Sequence, residues 1–270
     1  MELIHSRDNK KIKEAAGLQK SRERDKTGLF LAEGIRLVEM AASSDYRIRY
    51  TLATEEAGET ERAKALLGKL ASQAPVYFAE KSVYDKAAGT VSSQGILCVL
   101  EQKKRELDDL EEKEAPLYLV LDQIQDPGNL GTILRTADAA GVDGVILMRG
   151  TADLYNPKVV RSAMGSLFHL PVVSGVNTES LLAFLERRHI RLLATALDAS
   201  AASHFETDFR GSVALIMGNE GNGVSSLLLE HAKKVYIPMF GAAESLNAAV
   251  SAGIVLYETV RQRHPEILSR

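Results

Sequence analysis

Five polar side chains between residues 129 and 247 follow apolar runs, at spacings that could build one reactive site. They are Asn129, Arg135, Glu220, Ser245 and Asn247. Each apolar run has the character of a strand, and each is followed by a loop rich in Gly or Pro and then by the start of a helix. This order places polar groups at the carboxyl edge of a parallel sheet, where α/β folds bind ligands. The polar side chains fall in three such strand–loop–helix segments, which together predict a single composite pocket.

The last of these helices is predicted from the spacing of its apolar and small residues. From Leu246 onward one helical face carries Ala249, Val250, Gly253, Ile254, Tyr257 and Val260. Ser245 is predicted as the N-cap, because Ser is favoured at that position. Capping explains Asn247 less well, and this difference favours a chemical role for Asn247.

Arg135 lies on the polar side of the first predicted helix. A helix that begins near Leu130 buries a stripe of Leu130, Ile133, Leu134 and Ala137. Arg135 is then free to reach a site, although a surface ion pair with Asp138 or Glu220 would also explain it. Taken alone, Asn129 could simply be the N-cap of the same helix.

The three segments resemble, in wording and order, the signature motifs of a known enzyme family. They read Asp-Pro-Gly-Asn-Leu-Gly-Thr with Arg135 six residues after the Asn, Met-Gly-Asn-Glu-Gly-Asn-Gly-Val-Ser, and Ile-Pro-Met followed by Ser-Leu-Asn. Over about residues 117–262 the chain resembles the SpoU/TrmH-type RNA ribose 2′-O-methyltransferases of the SPOUT class. The stretch from Phe30, Phe-Leu-Ala-Glu-Gly-Ile-Arg-Leu-Val-Glu, resembles the ribosomal-protein-like substrate domain of many rRNA-directed members.

The resemblance implies S-adenosyl-L-methionine as the cofactor, held in a bent shape largely by backbone groups. The matching positions are Gly218, Ile237 and Leu246, with Thr195 near the pocket. Simple core packing remains an alternative for Ile237 and Leu246. The glycines at 218–223 have neither the spacing of a dinucleotide fingerprint nor the Gly-Lys-Ser/Thr of a phosphate P-loop.

The resemblance also implies that Arg135 contacts the target nucleotide and helps to remove the 2′-hydroxyl proton. Because a guanidinium is effectively never deprotonated in proteins, we expect Arg135 to orient the ribose and stabilise charge on its 2′-oxygen. Asn129 is expected to aim Arg135 or the ribose, and Glu220 to bind the arginine or shape the pocket. Ser245 and Asn247 are expected to cap their helix and also to bind the arginine or substrate.

Candidate RNA contacts are basic residues in two segments. The net charge of −3 does not itself indicate a nucleic-acid partner, but residues 1–26 hold eight basic and five acidic side chains. This local excess predicts an RNA-facing helix with Lys10, Arg22 and Arg24, or equally a solvated helix face. Lys158 and Arg161, in a stretch that fits the family pattern between the first two motifs, are further candidates.

Composition divides the chain into three parts. Residues 1–100 form the predicted RNA substrate-binding domain, a small α/β sandwich, and residues 117–270 form the methyltransferase domain. Between them, residues 101–116 are almost wholly charged and end in proline, which is typical of a linker. Downstream strand-like runs at 117–121, 144–148, 192–197, 212–217 and 235–237 alternate with helices and predict a parallel sheet. The resemblance adds a C-terminal trefoil knot, which spacing cannot show.

The remaining composition points to an ordinary cytoplasmic protein. In its 270 residues we find neither a membrane-length apolar run nor a signal peptide. The single cysteine, Cys98, has apolar neighbours and is predicted to be buried. The six histidines lack metal-ligand spacing, so no metal is expected.

These inferences predict methyl transfer from S-adenosyl-L-methionine to a ribose 2′-hydroxyl of RNA. Large-subunit (23S) rRNA is favoured because of the N-terminal domain, and family members imply a homodimer through the methyltransferase domain. The alternatives are a tRNA ribose methyltransferase, a catalytically inactive RNA-binding assembly factor, and a small-molecule enzyme on a Rossmann-like sheet.

Overall fold

The computed structural model describes residues 3–90 and 93–266, which form two compact units. The first unit comprises Met1–Lys103 and Asp153–His169, and the second comprises Lys104–Ala152 and Leu170–Arg270. The chain first passes between the units inside the charged stretch 101–116. The segment Asp153–His169 belongs to the first unit although it lies far along the chain.

The first unit contains a mixed five-stranded sheet in the order β1-β4-β3-β5-β2. Its strands are β1 (Leu3–Ile4), β2 (Leu29–Glu33), β3 (Ile48–Ala53), β4 (Val76–Ala79) and β5 (Ile96–Glu101). Strands β1, β4 and β3 are parallel, whereas β5 runs antiparallel to both β3 and β2. The predicted α/β character of this part is thus confirmed.

The second unit contains a seven-stranded, wholly parallel sheet in the order β10-β12-β9-β11-β6-β7-β8. Its strands are β6 (Leu117–Leu121), β7 (Gly144–Met148), β8 (Val172–Val176), β9 (Arg191–Thr195), β10 (Ala202–Ser203), β11 (Val213–Met217) and β12 (Lys233–Tyr236). Every residue of β6, β7 and β11 is buried, which explains their unbroken apolar sequences. The predicted parallel sheet is confirmed, but β8 and β10 were missed because β8 carries two exposed residues and β10 is very short.

The described residues also form ten α-helices. They are α1 (Lys10–Gly17), α2 (Ser21–Thr27), α3 (Ile35–Ser43), α4 (Glu61–Ala71), α5 (Lys81–Ala87), α6 (Pro127–Ala139), α7 (Pro157–Ser162), α8 (Thr178–Arg187), α9 (Ser226–His231) and α10 (Ala248–Arg263). The basic N-terminal region thus forms two helices rather than the single predicted one. None of the helices described combines the length and apolar character that a membrane span requires.

Helix α10 has apolar residues on two sides. Its buried face includes Ala252, Val255 and Leu256, which pack inside the second unit. The stripe whose spacing predicted the helix is instead largely accessible, with Val250 51% and Tyr257 53% exposed. The helix prediction was therefore right, but most of that stripe does not face the core.

Cys98 lies in β5 and is fully buried, as predicted. Its thiol is 3.1 Å from the Thr51 hydroxyl. Burial raises the pKa of the Cys98 thiol to about 12, so the thiolate that reactivity requires is suppressed.

Candidate active site

A cleft of about 520 Å³ opens in the second unit, where three neighbouring strands end. Strands β12, β9 and β11 are parallel neighbours, so the loops that follow them meet at one edge of the sheet. These loops and the first residues of α10 line the cleft. The four predicted cofactor positions all lie in its wall: Thr195, Gly218, Ile237 and Leu246.

Gly218 occupies a position that accepts no side chain. A Cβ atom built there would run into the backbone of Gly223 and Val224, well inside van der Waals contact. The loop closes on itself next to this point, where the Asn219 and Gly223 amides each donate to the other's carbonyl at 3.0 and 2.9 Å. Backbone therefore forms this wall of the cleft. Such a wall suits a ligand held by backbone groups.

Three of the predicted catalytic side chains form a hydrogen-bonded chain. The Asn247 amide Nδ2 donates to Asn129 Oδ1 at 3.0 Å, and Asn129 Nδ2 donates to Glu220 Oε1 at 2.9 Å. These two hydrogen bonds join the starts of α6 and α10 to the glycine-rich loop after β11. Residues separated by up to 118 positions in the sequence are thus held in a defined order.

The helix caps differ from the sequence prediction. Asn247, not Ser245, is the N-cap of α10, because its Oδ1 accepts from the amides of Ala249 and Val250 at 2.9 and 3.3 Å. Ser245 is exposed and lines the cleft instead. Asn247 therefore combines capping with the contact to Asn129.

Asn129 is not a cap, since Asp126 takes that role in α6. The Asp126 carboxylate accepts from the Asn129 backbone amide at 2.8 Å, and Pro127 occupies the first helical turn. The Asn129 side chain is consequently free for the contacts to Glu220 and Asn247. The cap alternative for Asn129 is thereby excluded.

Arg135 lies on the exposed side of α6, opposite the buried Leu130, Ile133 and Leu134, as predicted. Across residues 3–90 and 93–266, no hydrogen bond or ion pair engages its guanidinium. Glu220, one of the ion-pair partners considered from sequence, instead accepts from Asn129. The five N–H donors of the Arg135 guanidinium are therefore available to a ligand.

Two residues that the sequence analysis did not select hold the glycine-rich loop in place. Asp122, only 3% exposed, follows β6 and accepts from the Ser225 amide at 2.8 Å. Asn219 donates to the Gln123 carbonyl at 2.9 Å, while its Oδ1 accepts from the amides of Gly221 and Asn222. A polar residue directly after an apolar strand was the available signal for Asp122.

Asp198 is a further missed residue in the wall of the cleft. Its carboxylate accepts from Lys234 Nζ at 2.7 Å and from the Ser200 hydroxyl and amide at 2.6 and 2.8 Å. These hydrogen bonds hold the pKa of the Asp198 carboxyl well below its usual range. The Asp198 carboxylate is therefore ionised and paired with the Lys234 ammonium.

The RNA-contact candidates all lie in the first unit. Lys10, Arg22 and Lys158 are exposed, and Arg161 is half-buried. The prediction that Arg24 contacts RNA is wrong, because Arg24 is only 2% exposed. Its Nη1 donates to the Leu18 carbonyl at 2.8 Å and its Nε to Asp153 Oδ2 at 2.9 Å, so this arginine is not available to RNA phosphate.

Comparison with known proteins identifies the family. The SpoU rRNA Methylase family matches residues 116–257, and the MRM3-like substrate binding domain matches residues 9–98. The chain is 39% identical to the 23S rRNA (guanosine(2553)-2′-O)-methyltransferase RlmP of Bacillus subtilis, over 95% of this chain and 98% of that protein.

Solved structures are similar over nearly the whole chain. The AdoMet-bound rRNA methyltransferase from Sinorhizobium meliloti superposes with a TM-score of 0.88 at 32% identity, covering 96% of this chain and 97% of the other. The SpoU methyltransferase AviRb from Streptomyces viridochromogenes, in complex with AdoMet, gives a TM-score of 0.86 at 31% identity and covers 94% and 98%. Glu220 and Ser245 line the cleft with the four cofactor positions, whereas Asn129, Arg135 and Asn247 are not among its lining residues. The chain belongs to the SpoU rRNA methylase family and is an RNA methyltransferase.

Proposed function

We propose that the protein transfers a methyl group from S-adenosyl-L-methionine to the 2′-hydroxyl of a ribose in large-subunit rRNA. The observation that carries this proposal is the meeting of all four predicted cofactor positions in one cleft. Arg135 on α6 and the hydrogen-bonded chain from Asn247 to Glu220 supply polar groups from the same family motifs. The AdoMet-bound relatives support the choice of cofactor.

The cleft has a volume that suits a small-molecule cofactor. Its volume of about 520 Å³ lies in the range of small-molecule sites, roughly 300–1,000 Å³. Thr195, Gly218, Ile237 and Leu246 would hold the cofactor. When bound, S-adenosyl-L-methionine supplies an electrophilic methyl group on a sulfonium.

The side chains of the protein would act mainly by positioning. The free guanidinium of Arg135 binds the ribose and its phosphate and stabilises negative charge that develops on the 2′-oxygen. Asn129 shapes the site, because its amide is fixed by Asn247 on one side and Glu220 on the other. Alignment of the attacking oxygen with the methyl group can account for a large part of the rate.

The first unit supports rRNA over tRNA as substrate. It carries the match to a substrate-binding domain, and RlmP is named for 23S rRNA. Exposed Lys10, Arg22 and Lys158 offer phosphate contacts on this unit. An rRNA substrate also favours the cytoplasm as the compartment.

We also infer a homodimer through the second unit. Val250, Ile254 and Tyr257 form an accessible apolar face on α10, opposite the face that packs in the core. Apolar residues gathered on one accessible helix face are typical of a protein interface.

The trefoil knot and the absence of a metal remain predictions, and within residues 3–90 and 93–266 no group of three potential metal ligands is found.

The test is tritium transfer from labelled S-adenosyl-L-methionine to unmodified large-subunit rRNA, small-subunit rRNA and bulk tRNA in parallel. We expect label in one RNA of the large subunit, at a linkage that resists alkali. Label only in tRNA would establish the alternative substrate. Cofactor binding without label in any RNA would favour the inactive assembly factor.

A further inference from the structure

Phe240 is the most exposed large apolar side chain in the described part of the chain, with 96% of its surface accessible. It lies on the eleven-residue loop 237–247, between β12 and α10. We propose that the Phe240 ring is the stacking platform for the base of the target nucleotide. This inference rests on the proposed function and extends it to a nucleobase subsite.

The loop places Phe240 at the rim of the cofactor cleft. On either side of Phe240, residues of the same loop line the cleft: Ile237, Met239, Glu244, Ser245 and Leu246. Phe240 itself does not line the cleft, and its ring stands in solvent. An aromatic face is thus carried next to the reacting site without filling the cofactor's space.

The chemistry of the reaction requires a place for the base at this rim. The 2′-oxygen and the base are attached to neighbouring ribose carbons, so a 2′-hydroxyl that enters the cleft brings its base to the cleft edge. A base recognised in single-stranded RNA loses its stacking neighbours and is commonly held on an aromatic side chain. Stacking tolerates any base, which suits a residue that holds the nucleotide without selecting it.

The other exposed aromatic residues of the second unit have different surroundings. Phe205 is 67% exposed, and its ring centroid lies 3.9 Å from that of His204. Tyr257 belongs to the accessible face of α10 that we assign to the dimer. Among the described residues, no ring contact engages Phe240. It is therefore the aromatic side chain whose exposure is unexplained by the rest of the protein.

The chain contains no tryptophan, so Phe240→Trp introduces a single fluorescent reporter at the proposed platform. We expect its emission to be quenched when unmodified large-subunit rRNA transcript is added. The matched control is Phe205→Trp, an exposed aromatic exchange in the same unit, whose emission should stay unchanged. Equal quenching at both positions, or none at Phe240→Trp, would overturn the proposal.

Kinetics give an independent readout. Phe240→Ala should raise KM for the rRNA by about tenfold or more, as expected for loss of one base–aromatic stack, with a smaller change in kcat. Cofactor affinity should be unchanged, and Phe240→Tyr should restore KM because it restores the ring. Circular dichroism and thermal melting should match wild type, since the side chain makes no buried contact.

The outcomes separate this inference from the proposed function. If wild-type protein methylates rRNA and the Phe240→Ala variant is equally active, only the assignment of Phe240 as a stacking platform is contradicted. Wild-type protein that labels no RNA would overturn both. Emission of Phe240→Trp that changes with protein concentration in the absence of RNA would show instead that a second copy of the chain covers this residue.

Discussion

Arg24 and Arg135 are both carried by helices, yet their surroundings are opposite. Arg24 in the first unit is buried, and its guanidinium binds the Leu18 carbonyl and the Asp153 carboxylate. Arg135 in the second unit is exposed and engages no partner in the part of the chain that the structure describes. A structural arginine uses its donors within the protein, whereas a ligand-binding arginine keeps them available. The difference separates two arginines that the sequence alone predicted to be functional, Arg135 from its motif and Arg24 from the local excess of basic residues.

The largest expected effect tests the Arg135 side of this comparison. Arg135→Ala should lower the rate of methyl transfer to rRNA by at least ~100-fold, because charge on the 2′-oxygen loses its stabilising donor. Cofactor affinity and melting temperature should stay at wild-type values. The matched control is Arg187→Ala, an exposed helical arginine of the same unit that pairs with Asp108. Near-normal turnover by Arg135→Ala would remove Arg135 from the mechanism.

The Arg24 side predicts the reverse pattern. Arg24→Ala should destabilise the protein by about 3 kcal/mol, because it leaves the partly buried Asp153 carboxylate without its partner. Urea unfolding measures this change, and the folded fraction should keep its activity per molecule. As a control, Arg62→Ala removes an exposed arginine that pairs with Glu39 and should change stability little. Unchanged stability of Arg24→Ala would show that the buried pair contributes little.

A smaller effect concerns the backbone wall of the cleft. Gly218→Ala should weaken cofactor binding by roughly tenfold, because the added Cβ displaces the backbone at Gly223. Isothermal titration with S-adenosyl-L-methionine measures the change. Gly221→Ala is the matched control in the same loop, since its nearest contact would lie at an ordinary 3.5 Å from Asn219. Equal affinities of the two variants would contradict the steric argument.

The smallest effect concerns RNA binding by the first unit. Truncation of residues 1–26 would not test it, because Ile12, Leu18 and Arg24 are core residues of that unit. Lys10→Gln and Arg22→Gln should each reduce the salt dependence of rRNA binding by a slope of about 0.7. Lys64→Gln, which removes an exposed lysine from α4, should leave the slope unchanged. An unaltered slope in the first two variants would establish a solvated helix face.

Much of the fold was readable from the sequence because buried strands and amphipathic helices carry strong periodic signals. Strands β6, β7 and β11 have unbroken apolar sequences, since both faces of this parallel sheet are covered. Strand β8 was not recognised, because Ser174 and Gly175 interrupt its apolar run. The sequence also left open whether the apolar stripe of α10 faces the core of the protein. Apolar spacing identifies a helix face, but not whether the chain itself or another molecule covers it.

The sequence by itself determined the polar residue types, their order in the three motifs, and the family that they indicate. The tertiary structure alone decided which of these residues meet. Asn129, Glu220 and Asn247 become neighbours only because parallel strands bring distant loops to one sheet edge. Likewise, Arg24 is buried because the segment that carries Asp153 folds back onto the first unit. Local sequence encodes propensity and charge, whereas burial and hydrogen-bond partners arise from contacts between residues far apart in the chain.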